Sequence, residues 1–229
     1  MENAQNTAIG VCFKIVGKKG SIVDIRQFVK ENGKPYSKTL SIDLREGDPA
    51  YFRWFLASIL FSKPIRETSA TKTYKLFEYY GLADPKSMVR AGWDRLVKVL
   101  DEGGYTRYDF STADRLLEIC KNLIAHYNAS LDLLHQRSSD SLDLERRLME
   151  LGKGIGPVTI SVFLRDMRKV WSKADPSPTP KVKVAMSALG IGNLKEFARR
   201  EGLNLVELET ALHKYSRLYL RHPKRLDSL

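Results

Sequence analysis

Long apolar runs and cysteine are both scarce in this chain of 229 residues. No stretch approaches the roughly 20 consecutive apolar residues that a membrane-spanning helix needs. The opening MENAQNTAIG lacks the charged-then-apolar order of a secretory signal. The two cysteines, Cys12 and Cys120, lie far apart and share no metal-ligand spacing. We therefore expect a cytoplasmic protein without a membrane partner, a disulfide or a cysteine-bound metal.

Positive charge is in excess, and much of the excess lies in the last third of the chain. Lys and Arg number 38 against 27 Asp and Glu, which gives a formal net charge of +11 and a pI near 9.6. Residues 152–229 contain 15 basic and 7 acidic residues, or +8 of that total. Such a surface favours a polyanionic partner such as nucleic acid. A basic pI also serves solubility, so charge alone does not decide between the two.

The pattern of apolar residues changes near residue 48 and predicts two regions. Residues 8–45 contain short β-branched and aromatic runs separated by Gly, Asn and Pro, which predict a strand-rich extension over residues 1–47. Its last run is KTLSIDL, and its middle run, SIVDIRQFV, fits a short helix equally well. Over residues 48–229 the apolar residues recur at helical spacing, which predicts a bundle of about ten short helices.

Capping and breaking residues mark several predicted helix ends. Asp48 stands in the N-cap position before Pro49, and a second helix begins with another Asp-Pro pair at Asp84. Pro64 ends or kinks the first of these helices. Two helices are predicted at about residues 193–201 and 204–219. The three tryptophans fall on apolar helical faces and are expected in the core: Trp54, Trp93 and Trp171.

The stretch LMELGKGIGPVTISVFL, residues 148–164, is an apolar helix interrupted by three glycines. A Gly-Ile-Gly turn lets the backbone adopt positive φ and approach a ligand closely. It also directs the first N–H groups of the next helix, from about Gly156 to Thr159, outward. Free N–H groups and the helix dipole together form an anion site, to which Lys153 adds a charge. An ordinary helix connection with a C-cap glycine fits the same letters.

The order of segments around this turn resembles the helix-hairpin-helix DNA glycosylases of the endonuclease III type, which act in base-excision repair. The hairpin carries the resemblance together with YFRWFLASILFSKPIRETSATKTYKLFEYYG and LDEGGYTRYDFSTADRLLEICKNLIAHYN, so that it spans about residues 48–190. It implies a mainly α fold, a multi-helix bundle of two lobes with a DNA cleft between them. It also implies a monomer, located with the nucleoid or in the nucleus according to the organism, whose partner is double-stranded DNA containing a damaged or mismatched base.

The resemblance also implies roles for residues in three segments. The hairpin turn would bind DNA phosphates through Lys153, Gly154, Ile155, Gly156, Val158 and Thr159. The segment FSKPIRE stands at the family's wedge position, where Lys63, Pro64 and Ile65 would fill the space left by a flipped base. Tyr105, Arg107 and Tyr108 of GGYTRYD would lie near the base pocket, where aromatic rings can stack on a base. Packing is the ordinary alternative for tyrosines at helix starts.

The family's catalytic Asp lies in a loop past the hairpin, and here the loop SKADPSPTPKVKVAM offers Asp175. Breaking an N-glycosidic bond builds positive charge on the sugar, and a nearby carboxylate stabilises that charge. The spacing from hairpin to Asp differs from the family pattern by about one residue, and the letters after Asp175 differ as well. Capping of a turn before Pro176 is the alternative role for this carboxylate.

Two departures from the family pattern bear on the chemistry. Family members that also cut the strand carry a Lys nucleophile in the first turn of the second hairpin helix, where this chain has Val158. The resemblance therefore implies a monofunctional DNA N-glycosylase that uses water. A non-catalytic helix-hairpin-helix DNA-binding protein and a bifunctional glycosylase using a lysine such as Lys153 are the alternatives. The second departure is the absence of the four-cysteine cluster that many relatives carry near their C-terminus, since no cysteine follows Cys120 here. We therefore expect no iron–sulfur cluster, and we expect no other cofactor and no metal.

Overall fold

A computed structural model describes residues 13–16 and 22–220. Over these residues the chain is mainly helical, as predicted, with a small two-stranded sheet. The strands are β1, Lys14–Val16, and β2, Ile22–Asp24, and they pair antiparallel with Ile15 opposite Val23. The helices are α1 (Ile25–Asn32), α2 (Tyr36–Thr39), α3 (Asp48–Phe61), α4 (Glu67–Tyr79), α5 (Pro85–Gly103), α6 (Asp109–Tyr127), α7 (Leu131–Arg137), α8 (Ser141–Met149), α9 (Pro157–Met167), α10 (Pro180–Ala188), α11 (Leu194–Glu201) and α12 (Leu205–Tyr219).

The chain forms two compact units, one built from residues 35–180 and the other from residues 1–34 together with residues 181–229. The boundaries therefore lie at residues 34 and 180, whereas the sequence pattern placed a single boundary at residue 47. The residues between 35 and 47 explain part of the difference, because the apolar side chains of Leu40, Ile42 and Leu44 are buried in the core of the larger unit.

The smaller unit combines strands β1 and β2 with α1, α10, α11 and α12. Its core contains Ile25, Phe28 and Val29 of α1 together with apolar residues of α10, α11 and α12. Phe28 and Tyr215 meet edge to face with ring centroids 5.7 Å apart. The two C-terminal helices confirm the predicted ranges, since each begins directly after an Asn whose side chain accepts hydrogen bonds from the first turn, Asn193 and Asn204.

The larger unit is built around α3, which is buried over most of its length as its all-round apolar sequence predicted. Trp54 in α3 and Trp171 after α9 are core residues, and the indole N–H of Trp54 donates to the Phe163 carbonyl at 3.0 Å. Trp93 departs from the prediction because it is 38% exposed. Its ring lies against exposed Phe110, with centroids 5.2 Å apart, and its N–H donates to Asp114.

Several predicted element ends are corrected by the structure. The run KTLSIDL was predicted as a strand, but it begins with the end of α2 and ends at the first residue of a 3-10 helix, Leu44–Glu46, which the Asp43 side chain caps. Gly47 rather than Asp48 is the N-cap of α3. The Asp48 carboxylate instead accepts hydrogen bonds from the amides of Leu131 and Asp132, at 2.9 and 3.0 Å, and so caps α7. Tertiary packing, rather than local sequence, determined these outcomes.

Candidate nucleic-acid interface

The glycine-rich turn links α8 to α9 within the larger unit. Of its three glycines only Gly154 has positive φ, at 91°. Gly152 has a different requirement, because a Cβ there would lie 2.8 Å from Cγ1 of Ile119 in α6. Gly156 is the N-cap of α9 and has an ordinary extended conformation. The glycines therefore meet two requirements. Gly154 adopts a left-handed backbone conformation, and Gly152 lets the turn approach α6 closely.

Arg115 of α6 lies directly against this turn. A Cβ at Gly154 would stand 2.7 Å from Cδ and 2.9 Å from Nε of Arg115, so any larger residue there would displace the arginine side chain. Arg115 is half-buried, and its guanidinium makes no hydrogen bond or ion pair with the described residues. A guanidinium has five N–H donors in a fork that suits phosphate oxygens. Arg115 thus presents unused donors beside a turn that has no side chain in the way.

The end of α3 joins the same site. The Thr159 hydroxyl in the first turn of α9 donates to the Ser62 hydroxyl at 2.8 Å, and Ser62 directly precedes Lys63. Burial and then the positive charge of Arg115 lower the pKa of Lys63. Lys63 makes no ion pair with the described residues. Two cations therefore lie near enough to repel each other, and neither pairs with a carboxylate of the described residues, an arrangement that an anion would stabilise.

A carboxylate of α6 fixes the turn from its other side. Glu118 accepts a hydrogen bond from the amide of Lys153 at 3.1 Å. This amide is therefore not available to a phosphate, although the Lys153 side chain is exposed. The amides of Val158 and Thr159 make no hydrogen bond within the described ranges, as the first turn of a helix requires. The donors available to an anion thus include these two amides, Lys153, Lys63 and Arg115.

Residues of the predicted hairpin site divide into exposed and buried groups. Lys153, Gly154 and Val158 are exposed, and Gly156 is half-exposed. Ile155 and Thr159 are 6% and 3% exposed and therefore hold the turn to the core through their side chains. The structure thus separates residues that can reach a ligand from residues that position them.

The predicted wedge segment lies at the surface of the larger unit. Pro64 is exposed, and Lys63 is half-buried. Ile65 is half-buried and packs against the main hydrophobic core. Lys63 and Pro64 can therefore reach a ligand beside the turn, whereas the side chain of Ile65 is partly committed to packing.

The structure corrects the predicted pocket role of Tyr105. Its side chain is 1% exposed, its hydroxyl donates to the Leu60 carbonyl, and burial raises its pKa far above the usual value. A ring held in the core cannot stack on a base. Tyr108 is half-buried and Arg107 exposed, with the guanidinium 5.9 Å from the Tyr108 ring centroid. Of the three pocket candidates, only these two lie where a ligand can reach them.

The predicted catalytic carboxylate stands on the loop after α9. The Asp175 side chain is 48% exposed, and its Oδ1 lies 4.0 Å from Nε of Arg168. Arg168 also donates to the Pro176 carbonyl at 2.8 Å, and Lys173 donates to the carbonyls of His135 and Gln136. Burial and then the charge of Asp175 raise the pKa of Glu145 in α8. An anchored loop thus presents an accessible carboxylate next to a cation.

Arg115 and Glu118 are the site residues that the sequence did not indicate. Both belong to the polar face of α6, where spacing alone gives them the pattern of solvated residues. Their importance comes from packing of α6 against a turn 35 residues further along the chain. The sequence does place Arg115 and Glu118 three residues apart, on one side of a single helical turn. That spacing is common on solvated helices, so it did not point to a site.

Comparison of the chain with protein-family models, curated proteins and solved structures found no match. Within the described ranges, no cluster of His, Cys, Asp and Glu side chains has an arrangement that could hold a metal ion. No helix among the described residues is long and apolar enough to cross a bilayer. The interpretation of the site therefore depends on its own geometry and on the resemblance of the sequence.

Proposed function

We propose that the protein binds duplex DNA through the glycine-rich turn and removes a damaged or mismatched base by hydrolysing its N-glycosidic bond. One observation carries the proposal, the convergence of Gly154, Arg115 and Lys63. These residues come from three separate segments, and the two cations make no ion pair with described residues. A backbone phosphate supplies the charge and the acceptor oxygens that this group of donors needs.

The chemistry is assigned to Asp175. Departure of the base leaves positive charge on the deoxyribose, and an accessible carboxylate stabilises that charge while water attacks. Nε of Arg168 lies 4.0 Å from the carboxylate, so a cation stands beside the group to which the chemistry is assigned. Position 158 in the first turn of α9 has a valine side chain, 41% exposed, rather than an amine. This supports hydrolysis by water over Schiff-base chemistry at that position.

A second candidate is a duplex DNA-binding protein without catalytic activity. The burial of Tyr105 favours it, since the GGYTRYD segment then contributes fewer groups to a base pocket than the family resemblance implies. Both candidates predict salt-dependent DNA binding, so binding does not separate them. Only a lesion-dependent product does.

The test is incubation of the full chain with labelled duplexes that each carry one lesion or mismatch, analysed with and without alkali. A monofunctional glycosylase produces breaks only after alkali, and Asp175→Asn removes them while DNA affinity is retained. Asp140→Asn, which changes an exposed helix-capping carboxylate on α8, is the matched control. Breaks without alkali that disappear in Lys153→Gln would favour lyase chemistry. Binding without product on any duplex would favour the non-catalytic candidate.

A further inference from the structure

A polar cleft of about 420 Å³ lies beside the glycine-rich turn in the larger unit. It is formed by the C-terminal half of α6, the last residue of α7, and α8 with the two residues that follow it. Arg137 and Arg147 contribute its cations, Glu150 contributes a carboxylate, and Leu151 and the ring of Tyr127 contribute apolar surface. Pockets for apolar ligands are lined mainly by hydrophobic and aromatic side chains. The lining of this cleft instead suits a charged, well-hydrated ligand.

Both arginines of the cleft are held in place with donors to spare. Nη1 of Arg137 donates to the His126 carbonyl at the end of α6, at 3.0 Å. Nε of Arg147 donates to Asp143 at 2.8 Å, and its Nη1 lies 3.4 Å from the Tyr127 hydroxyl. These bonds occupy one of five N–H donors in Arg137 and two in Arg147. The remaining donors can bind several acceptor oxygens at once, as a phosphate offers them.

The charges around the cleft leave a surplus of positive charge. Asp143 pairs with both Arg146 and Arg147, and Glu150 pairs with Arg146 at 2.7 Å. Arg137 makes no ion pair within the part of the chain that the structure describes. Glu150 also lines the cleft, but it pairs with Arg146, so an anionic ligand would meet in Arg137 an arginine that pairs with no carboxylate of the described residues.

One face of α6 connects this cleft to the glycine-rich turn. Glu118 holds the amide of Lys153, and one helical turn later Asn122 donates to the Leu151 carbonyl at 2.9 Å. His126 follows after another turn and lies in the lining of the cleft. From residue 118 to residue 126 an α-helix rises about 12 Å, and one strand of B-DNA carries a phosphate about every 3.4 Å along its axis. A DNA strand that runs along α6 would thus place phosphates a few nucleotides apart at the turn and at the cleft.

We propose that the cleft is a second phosphate site, which binds the DNA backbone a few nucleotides from the phosphate at the glycine-rich turn. The proposal depends on the DNA binding proposed above and extends it with a new contact, the Arg137 guanidinium. Arg147 and Asn122 complete the site, the first as a second donor and the second by fixing the chain at Leu151.

The test is fluorescence anisotropy with the full chain and a labelled duplex over a series of KCl concentrations, for wild type, Arg137→Gln and Arg137→Lys. Each phosphate contact contributes about 0.9 to the slope of log K against log salt. We expect Arg137→Gln to lower the magnitude of the slope by about one and the affinity near 0.1 M salt by roughly five- to tenfold. Arg137→Lys should retain most of the slope. Arg90→Gln, a change at an exposed arginine of α5, is the matched control and should leave it unchanged.

Different outcomes separate this proposal from the proposed function. An unchanged slope in Arg137→Gln, together with a lower slope in Arg115→Gln, would overturn the second site and leave DNA binding through the turn intact. Absence of DNA binding by the wild type would overturn both. If thymidine monophosphate binds the wild type but not Arg137→Gln while the DNA slope is unchanged, the cleft serves a free nucleotide and the backbone proposal is wrong. Thermal unfolding of each variant identifies any loss that comes from misfolding.

Discussion

The hydroxyl of Thr159 donates a hydrogen bond of 2.8 Å to the hydroxyl of Ser62, 97 residues earlier in the chain. Ser62 in turn donates to the Ile59 carbonyl at 2.9 Å, so the hydroxyls form a short chain that ends on α3. This chain fixes the start of α9 to the segment that carries Lys63. The glycine-rich turn and the predicted wedge segment are therefore parts of one structural site.

The first prediction concerns the energy of this link. Thr159 is 3% exposed, so its hydroxyl loses its partner without gaining water in Ser62→Ala. We expect Ser62→Ala to lower the free energy of unfolding by about 1–3 kcal/mol. Thr159→Val, which removes the donor, should cost about 1 kcal/mol. The double variant should cost less than the sum, as measured by urea unfolding in a double-mutant cycle. Additive costs would show that the hydrogen bond does not contribute.

The second prediction concerns the cation beside the turn. Because Arg115 makes no ion pair within the described residues and its charge lowers the pKa of Lys63, Arg115→Gln removes a repulsion and should not lower thermal stability. It should lower the magnitude of the DNA-binding salt slope by about one. The same change at exposed Lys75 of α4 is the control. A strong loss of stability without a change in slope would show that Arg115 serves packing instead.

The third prediction separates backbone strain from steric contact in the turn. Gly154 has φ of 91° and would place a Cβ against Arg115, whereas Gly81 has φ of 64° and nothing within 4 Å of such a Cβ. We expect Gly81→Ala to cost about 1 kcal/mol of unfolding free energy from strain alone. Gly154→Ala should cost about 1–3 kcal/mol and also weaken DNA binding, because the added methyl displaces Arg115. Equal costs and unchanged DNA affinity in both variants would contradict this account.

Local signals predicted the helices but not the site. Asn193 and Asn204 cap their own first turns, so the ranges of α11 and α12 follow from a few neighbouring residues. The kink within α5 likewise falls at a glycine, Gly92, whose φ is 77°. These elements are determined within one or two turns of chain, which is the distance over which caps and glycines act.

Tertiary contacts determine the burial and roles of several residues that local sequence patterns did not predict. Leu40, Ile42 and Leu44 alternate as in a strand, yet all three are buried in a helical core without a neighbouring strand. Tyr105 directly follows two glycines, a position for which the family resemblance implied a place near the base pocket, yet its ring is in the core. Arg115 has no local signal because its importance depends on Gly154. In each case packing across many residues outweighs the local preference.

The fourth prediction concerns pH and a histidine near the Asp175 loop. The ring of His135 stacks on Trp171 with centroids 4.7 Å apart, and its buried Nε2 has no hydrogen-bond partner among the described residues. Burial and then the charge of Lys173 lower its pKa, while Asp132 acts in the opposite direction. The unfolded chain therefore binds this proton more readily than the folded chain does. The resulting loss of stability begins as pH falls through about 6.5 and is complete below the folded pKa.

The measurement is the free energy of unfolding from urea titrations between pH 7.5 and pH 5, for wild type and His135→Phe. Phenylalanine keeps a ring against Trp171 and keeps the backbone carbonyl that binds Lys173, but it does not titrate. Glu145 has a raised pKa in the folded chain, so its protonation adds to the free energy of unfolding as pH falls, opposite to the effect of His135. Because Glu145 is present in both proteins, the difference between their pH curves comes from His135. We expect the wild type to lose more stability on acidification than His135→Phe, while His126→Gln, a change at an exposed histidine, follows the wild type. Parallel curves of unfolding free energy against pH for wild type and His135→Phe would mean that the folded chain accommodates the charged ring. Protonation of His135 would then not weaken the loop that carries Asp175.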